Sequence, residues 1–325
     1  MIMADEQIDI DSFDPPASGS PNIDTHEQKL ARKVQDAIST IPDEPSQIDA
    51  IAKIRNWFSP DWEESLFYPI IQEYLIGNLD LAAIVKKTMK LIDDAISESR
   101  SEEIGQIDFG YSVLHSAKRI SFKDERMHAK LVDFVDDIKT HTGNHNDYVL
   151  YDTMLSFSGS ALETLNDCPG VGAGYSLPES HAYANANYFL ARLTKEGVSE
   201  FWMCAIWAMR SGLEDILKDD EPNESHVPGT TIEKLNANVP AAAVWVFALG
   251  KALYDKEEDL TPTSPNGGNP AKGGDRWKGR SEFSKERWAL WKQRFGDVSK
   301  NRDVSEETRE IAKEAFESMD RWEKS

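Results

Sequence analysis

The chain of 325 residues carries 57 acidic against 36 basic residues, a net charge of −21. That charge repels nucleic-acid phosphates and anionic lipid surfaces, so nucleic acid is not an expected partner. The length suits one substantial domain, and two cysteines, Cys168 and Cys204, are too few for a disulfide framework, which points to a reduced, cytoplasmic setting.

Residues 1–26 place Asp5, Glu6, Asp9, Asp11, Asp14 and Asp24 around Pro15, Pro16 and Pro21, a composition that predicts a disordered acidic arm. The arm has no Lys or Arg and no apolar run of signal-peptide length. From Glu27 onward the apolar spacing is helical. Leu81, Ile84, Val85, Leu91, Ile92 and Ile96 form one stripe, and Leu131, Phe134, Val135 and Ile138 another. Residues 165–180 and 219–239 read as polar, Gly- or Pro-bearing loops. A helix over about 198–217 would carry Trp202, Ile206, Met209 and Leu213 on one face and Met203, Trp207, Arg210 and Glu214 on the next.

Residues 240–254 predict a helix that is apolar on every side, with Pro240 in its first turn and Asn238 as its cap, suited to the centre of a bundle. The longest apolar run, Pro240 to Gly250, is too short to span a bilayer. A long segment from about Glu257 to Arg280 follows, rich in Gly and Pro and basic at its end through Lys272, Arg276, Lys278 and Arg280; segments of this kind serve as lids or disordered inserts. The expected fold is all-α: residues 27–325 as a single bundle-like domain with a central apolar helix and this long loop before the C-terminal helices. A homodimer is one candidate assembly.

Several constellations have chemical potential. Asn185, Tyr188 and Arg192 fall at i, i+3 and i+7, one helix face bearing an amide, a phenol and a guanidinium. Asn offers a carbonyl oxygen to a hard cation and Arg forks onto phosphate; the alternative is a buried Arg bonded to loop carbonyls. Arg210 and Glu214, at i and i+4, read first as a surface ion pair. Lys285 and Arg287 fall in the first turn of a helix that starts near Ser284, where cations need an anion nearby. That anion is either a bound phosphate or an acid, Glu286 or one from another helix. Asp93-Asp94-Ala95-Ile96-Ser97-Glu98 only approximates the DDxxD magnesium motif of class I terpene cyclases. Asp133, Asp136 and Asp137 read as a solvated face. His141 and His145, interrupted by Gly143, make a doubtful metal pair, and Gly170, Gly172 and Gly174 lack the strand a dinucleotide fingerprint requires.

Two blocks, Ala184-Asn185-Ala186-Asn187-Tyr188-Phe189-Leu190-Ala191-Arg192-Leu193 and Phe283-Ser284-Lys285-Glu286-Arg287-Trp288-Ala289-Leu290-Trp291-Lys292-Gln293-Arg294-Phe295, interleave polar and aromatic residues at helical spacing. With Leu131-Val132-Asp133-Phe134 and Ala241-Ala242-Ala243-Val244-Trp245, they resemble a fungal family of helical proteins classed as a domain of unknown function. Some members of that family are noncanonical terpene cyclases, the humulene synthases of tropolone-sesquiterpenoid pathways. The resemblance implies a lyase reaction of secondary metabolism: magnesium-assisted ionisation of farnesyl diphosphate and closure to a cyclic sesquiterpene such as humulene. It would assign Lys285, Arg287 and Arg192 to the diphosphate and Asn185 and Glu214 to the metal. Trp202, Met203, Trp207, Trp245, Phe247 and Tyr188 would line an apolar cavity, with the loop before Arg280 excluding water. The competing readings are a non-catalytic helical interaction protein and an enzyme acting on another terpenoid or polyketide intermediate.

Overall fold

Thr25 opens the first helix with a reciprocal cap: its hydroxyl accepts the Gln28 N–H while its own N–H reaches Gln28 Oε1. The computed structural model describes residues 25–57, 65–97, 106–140, 155–221, 228–264 and 268–325. The expected acidic arm, apart from Thr25 and His26, and the His141/His145 pair lie outside these residues.

Within them the chain is a multi-helix, all-α bundle. Helix α1 (His26–Thr40) leads to α2 (Glu44–Arg55), capped by Asp43 and ended by Asn56 in the left-handed region at φ 57°. Then come α3 (Tyr68–Leu75), α4 (Leu81–Ser97), α5 (Gln106–Arg119), α6 (Glu125–Thr140) and α7 (Leu155–Thr164). The second half holds α8 (Leu177–Lys195), α9 (Trp202–Met209), α10 (Thr231–Leu249), the short α11 (Lys251–Asp255), α12 (Lys285–Val298) and α13 (Glu306–Trp322). One antiparallel pair of two-residue strands, β1 (Glu258–Asp259) and β2 (Glu282–Phe283), closes the base of the segment between α11 and α12.

The stripe Leu131, Phe134, Val135 and Ile138 on α6 is wholly buried, and Ile84 and Ile92 of α4 are buried with it, as the helical period requires. Helix α8 lies along α10, and α10 also packs on α9 and α13; α5 joins α7 and α8 on the other flank.

Several sequence expectations change here, among them the loop 165–180, which is helical from Leu177, and the helix 240–254, which stops at Leu249 before Gly250 at φ 52°. Helix α10 begins at Thr231, nine residues before Pro240, because Thr230 and Glu233 form a capping box: Thr230 Oγ1 accepts the Glu233 N–H at 3.2 Å and the Glu233 carboxylate accepts the Thr230 N–H at 2.8 Å. Pro240 therefore sits inside the helix and Asn238 bonds back to the Lys234 carbonyl instead of capping. The first turns are polar, so the helix is not apolar all round, and the expected loop 219–239 is helical from Thr231. Helix α9 is also shorter than the 198–217 expected. After Met209 it widens into a π turn over Arg210–Glu214, closed by the Asp215 N–H on the Arg210 carbonyl at 2.9 Å.

Candidate functional site

The π turn places Glu214 in the interior with no exposed side-chain surface. Its carboxylate accepts four hydrogen bonds. Oε1 takes the Arg287 Nε–H at 2.7 Å and the Trp291 indole N–H at 2.6 Å; Oε2 takes Arg287 Nη2 at 3.1 Å and the Gly274 N–H at 2.8 Å. Arg287, equally buried, points Nη1 at the carbonyls of Glu282 (2.8 Å) and Ala271 (3.2 Å). The guanidinium carbon lies 5.5 Å from the Trp291 ring and 5.7 Å from the Trp277 ring. A two-point arginine–carboxylate fork saturated in this way offsets the desolvation of both charges. The anion that Arg287 requires is thus an acid from another helix.

The same arrangement fastens the segment ahead of α12. Glu214 takes the Gly274 N–H on its side chain and the Arg276 N–H, at 2.9 Å, on its backbone carbonyl. The Trp207 indole and Arg210 Nη1 donate to the Pro270 carbonyl, Arg210 Nη1 also to Lys272, and the Ile216 N–H reaches Asp275 Oδ2 at 3.0 Å. Gly274 must be glycine: a Cβ there would lie 2.3 Å from Asp215 Oδ1 and 2.8 Å from Glu214 Cβ. Residues 268–283 are therefore a strap, bonded to α9 and the π turn at several points. The expected Arg210–Glu214 surface pair does not form. The π turn breaks the i, i+4 row, Glu214 turns inward to Arg287, and Arg210 holds strap carbonyls.

The amide-rich block on α8 is bonded just as fully. Asn185 Oδ1 accepts the Phe122 N–H at 2.8 Å and its Nδ2 donates to the Lys118 carbonyl at 2.9 Å, which ties the turn between α5 and α6 to α8. Asn187 Oδ1 accepts the Trp245 indole N–H at 2.9 Å and its Nδ2 donates to the Tyr183 carbonyl, a cross-tie from α8 to α10. The Tyr188 ring is buried edge-on against His128, with centroids 4.9 Å apart. Burial pushes His128 down to about 4, and it donates Nε2–H to the Ile120 carbonyl as a neutral ring. Arg192 lies 6.0 Å from the Tyr188 ring and 3.6 Å from Glu196; its Nε is buried without a protein partner.

Residues 111–295, more than half of the chain, match the family model described as "Protein of unknown function (DUF3632)". The chain belongs to this family. No curated protein and no solved structure matches it. The DUF3632 region starts inside α5, ends inside α12, and contains the Glu214–Arg287 pair, the strap and both asparagine ties; α1 to α4 and α13 lie outside it.

Within the DUF3632 region the other candidate residues point in different directions. Lys285 leaves the first turn of α12 away from Arg287. It donates to the Tyr254 carbonyl, lies over the Tyr254 ring at 3.5 Å, and sits 3.7 Å from Asp255. Trp245 is fully buried against Asn187, and Phe247 stacks on Phe122 at 6.4 Å. Trp202 meets Phe283 edge-on at 6.1 Å, with the Lys256 ammonium 4.5 Å from its ring. Met203 packs half-buried on the main core. The structure brings Arg287 and Glu214 together and leaves Lys285, Arg192 and Asn185 with separate partners.

As magnesium ligands, Asn185 and Glu214 do not fit, because each already spends its carbonyl or carboxylate oxygens on N–H donors. Among the described residues no three His, Cys, Asp or Glu side chains are grouped to hold a metal ion. Asp93 and Asp94 do share a cavity of about 610 Å³ with Asp137, over Ala82, Val85 and Met89. There Lys90 bonds Asp94 at 2.5 Å.

Sequence reasoning missed a second buried ion pair. Glu179 accepts Arg55 Nε–H at 2.8 Å, the Gly174 N–H at 2.8 Å and the Ser176 hydroxyl at 2.6 Å, with both charged side chains almost fully buried. The signal was present as Ser176-Leu177-Pro178-Glu179, a capping-box spacing at the start of α8. The glycines beside it serve close packing: the Gly172 carbonyl accepts the Trp57 indole N–H at 2.7 Å, and Gly170 turns at φ 91°.

Proposed function

We propose that this chain is a non-catalytic helical interaction protein. The observation that carries the reading is the saturation of the Glu214–Arg287 pair: the carboxylate and guanidinium that the resemblance would assign to metal and diphosphate are buried and bonded to each other, to Trp291 and to strap backbone. The Asn185 and Asn187 amides are spent in the same way, on the 118–122 turn and on Trp245. On this reading the two motif blocks exist to lock the bundle, and recognition takes place on the surface of that rigid frame. The test is incubation of the purified protein with farnesyl, geranyl and geranylgeranyl diphosphates and magnesium, with and without EDTA, and headspace gas chromatography with mass detection. Folded protein that yields no hydrocarbon from any of the three supports the interaction protein; a metal-dependent sesquiterpene overturns it.

A sesquiterpene cyclase is the second reading. Its support is the resemblance to family members that cyclise farnesyl diphosphate, together with the cavity between α4 and α6 that pairs an apolar floor with Asp93, Asp94 and Asp137. Under this reading Lys285, Arg287 and Glu214 shape the frame of the protein, and the same headspace experiment decides it.

A further inference from the structure

An open cleft of about 770 Å³ runs between the π turn and the strap, within the size range of small-molecule sites. Its charged lining is Arg210, Lys272, Lys278 and Arg280 against Asp215 and Asp275. In a chain with net charge −21, such a cluster opposes the overall field, and gathering like charges costs electrostatic energy that a bound anion offsets. The cations outnumber the carboxylates four to two, Asp275 accepts the Ile216 N–H, and Asp215 faces the Arg210 charge.

Two of the cations are unpaired among the described residues, and the strap backbone that carries them is fixed. Lys272 and Lys278 are exposed and form no ion pair among the described residues. Arg210 spends only Nη1 on the Pro270 and Lys272 carbonyls, so Nη2 and Nε–H are left for another acceptor. Arg280 shares its charge with Asp259 at 3.1 Å. The strap that carries these groups is pinned to buried Glu214 through Gly274 and Arg276, so the backbone of the cleft is in place before a ligand arrives. Its walls are mostly polar and glycine-rich, which suits a charged head group more than an apolar body.

We propose that this cleft binds the phosphate head of a small molecule, a phosphate monoester or a diphosphate, with Arg210, Lys272 and Lys278 as its contacts. The inference holds whether the protein is an interaction protein or an enzyme, because head-group binding needs no turnover. The probes are inorganic phosphate and inorganic pyrophosphate, titrated into the full chain by isothermal calorimetry at low ionic strength. Saturable one-site binding is expected, weakened as ionic strength rises. K272E and K278E, both at exposed unpaired positions, are expected to weaken it at least tenfold each with an unchanged circular dichroism spectrum and melting temperature. K313E, at an exposed position of α13 outside the cleft lining, is expected to leave it intact. Tighter binding of pyrophosphate supports a diphosphate head and equal binding supports a monoester. Absence of saturable binding by both probes, or binding that survives both lysine reversals, overturns the proposal. The hydrocarbon assay is separate, so the cleft and the interaction reading fail independently.

Discussion

Removing the Arg287 side chain would strand a carboxylate in the interior. In R287M, Glu214 keeps the Trp291 and Gly274 donors but loses both arms of the guanidinium fork, while the Glu282 and Ala271 carbonyls lose their shared donor. Breaking one partner of a buried pair costs about 3–5 kcal/mol. With an unfolding entropy of about 2.1 cal/mol/K per residue, each kcal/mol is worth about 1.5 °C in a chain of 325 residues, so the expected fall in melting temperature is about 4–7 °C. E214Q leaves a neutral amide whose NH₂ faces the guanidinium donors, and it should cost a similar amount. The double variant E214Q/R287M removes both charges and should recover part of the loss, with a coupling energy of about 2 kcal/mol or more in a chemical-denaturation cycle. If R287M costs less than 1 kcal/mol, or the two losses simply add, the pair is not the lock described here, and Arg287 regains standing as a group held in reserve for an external anion.

Other consequences can be measured directly. His181 joins α2 and α13 through Nδ1 to Glu44 (2.8 Å) and Nε2 to Glu307 (3.0 Å), and Glu307 also meets Lys123 at 3.4 Å. Because carboxylates only accept, this geometry requires both ring nitrogens protonated. Burial opposes that charge, but the Glu44 hydrogen bond and charge, with Glu307, outweigh it and raise the imidazole. A raised folded-state pKa gives stability that is complete below the ordinary imidazole value of about 6.5 and lost as pH climbs through the folded value. The stability gap between the wild type and H181Q should therefore be widest near pH 6 and should close on the alkaline side in urea titrations; a gap that widens with pH refutes the clamp. N187A leaves the buried Trp245 indole N–H without its acceptor and should cost about 1–3 kcal/mol, seen as a lower denaturation midpoint, whereas N187D should keep an acceptor at the price of a buried charge. G274A forces a Cβ against Asp215 and Glu214 and should destabilise by about 1–3 kcal/mol, with limited proteolysis at the strap appearing before global unfolding.

Much of the bundle was legible because helical periodicity is a local property. The α6 stripe and the buried face of α4 follow from residues within a few positions of one another. The start of α10 was harder, because Pro240 imitates a first-turn proline, and the true signal, Thr230 with Glu233, lies ten residues upstream in a polar stretch that resembles a loop. The site was hardest. Glu214 has Arg210 at local spacing and Arg287 at 73 residues' separation, and only the π turn, invisible in the pattern, decides between them. The Asn185 and Asn187 partners lie 63 and 58 positions away, so an amide ready for a ligand and an amide already tied to backbone read alike in sequence.

The Glu214–Arg287 pair also links parts of the chain that are made far apart in time. Its two ends are separated by the strap and by α10, so the contact closes a long loop whose closure entropy is met before the pair can form. Until residues 287–291 arrive, Glu214 has neither the guanidinium nor the indole to donate to it. During synthesis the N-terminal helices can consolidate while this corner waits for α12 to leave the ribosome. A nascent chain that stops before Arg287 leaves the Glu214 carboxylate with one of its four donors, the Gly274 N–H.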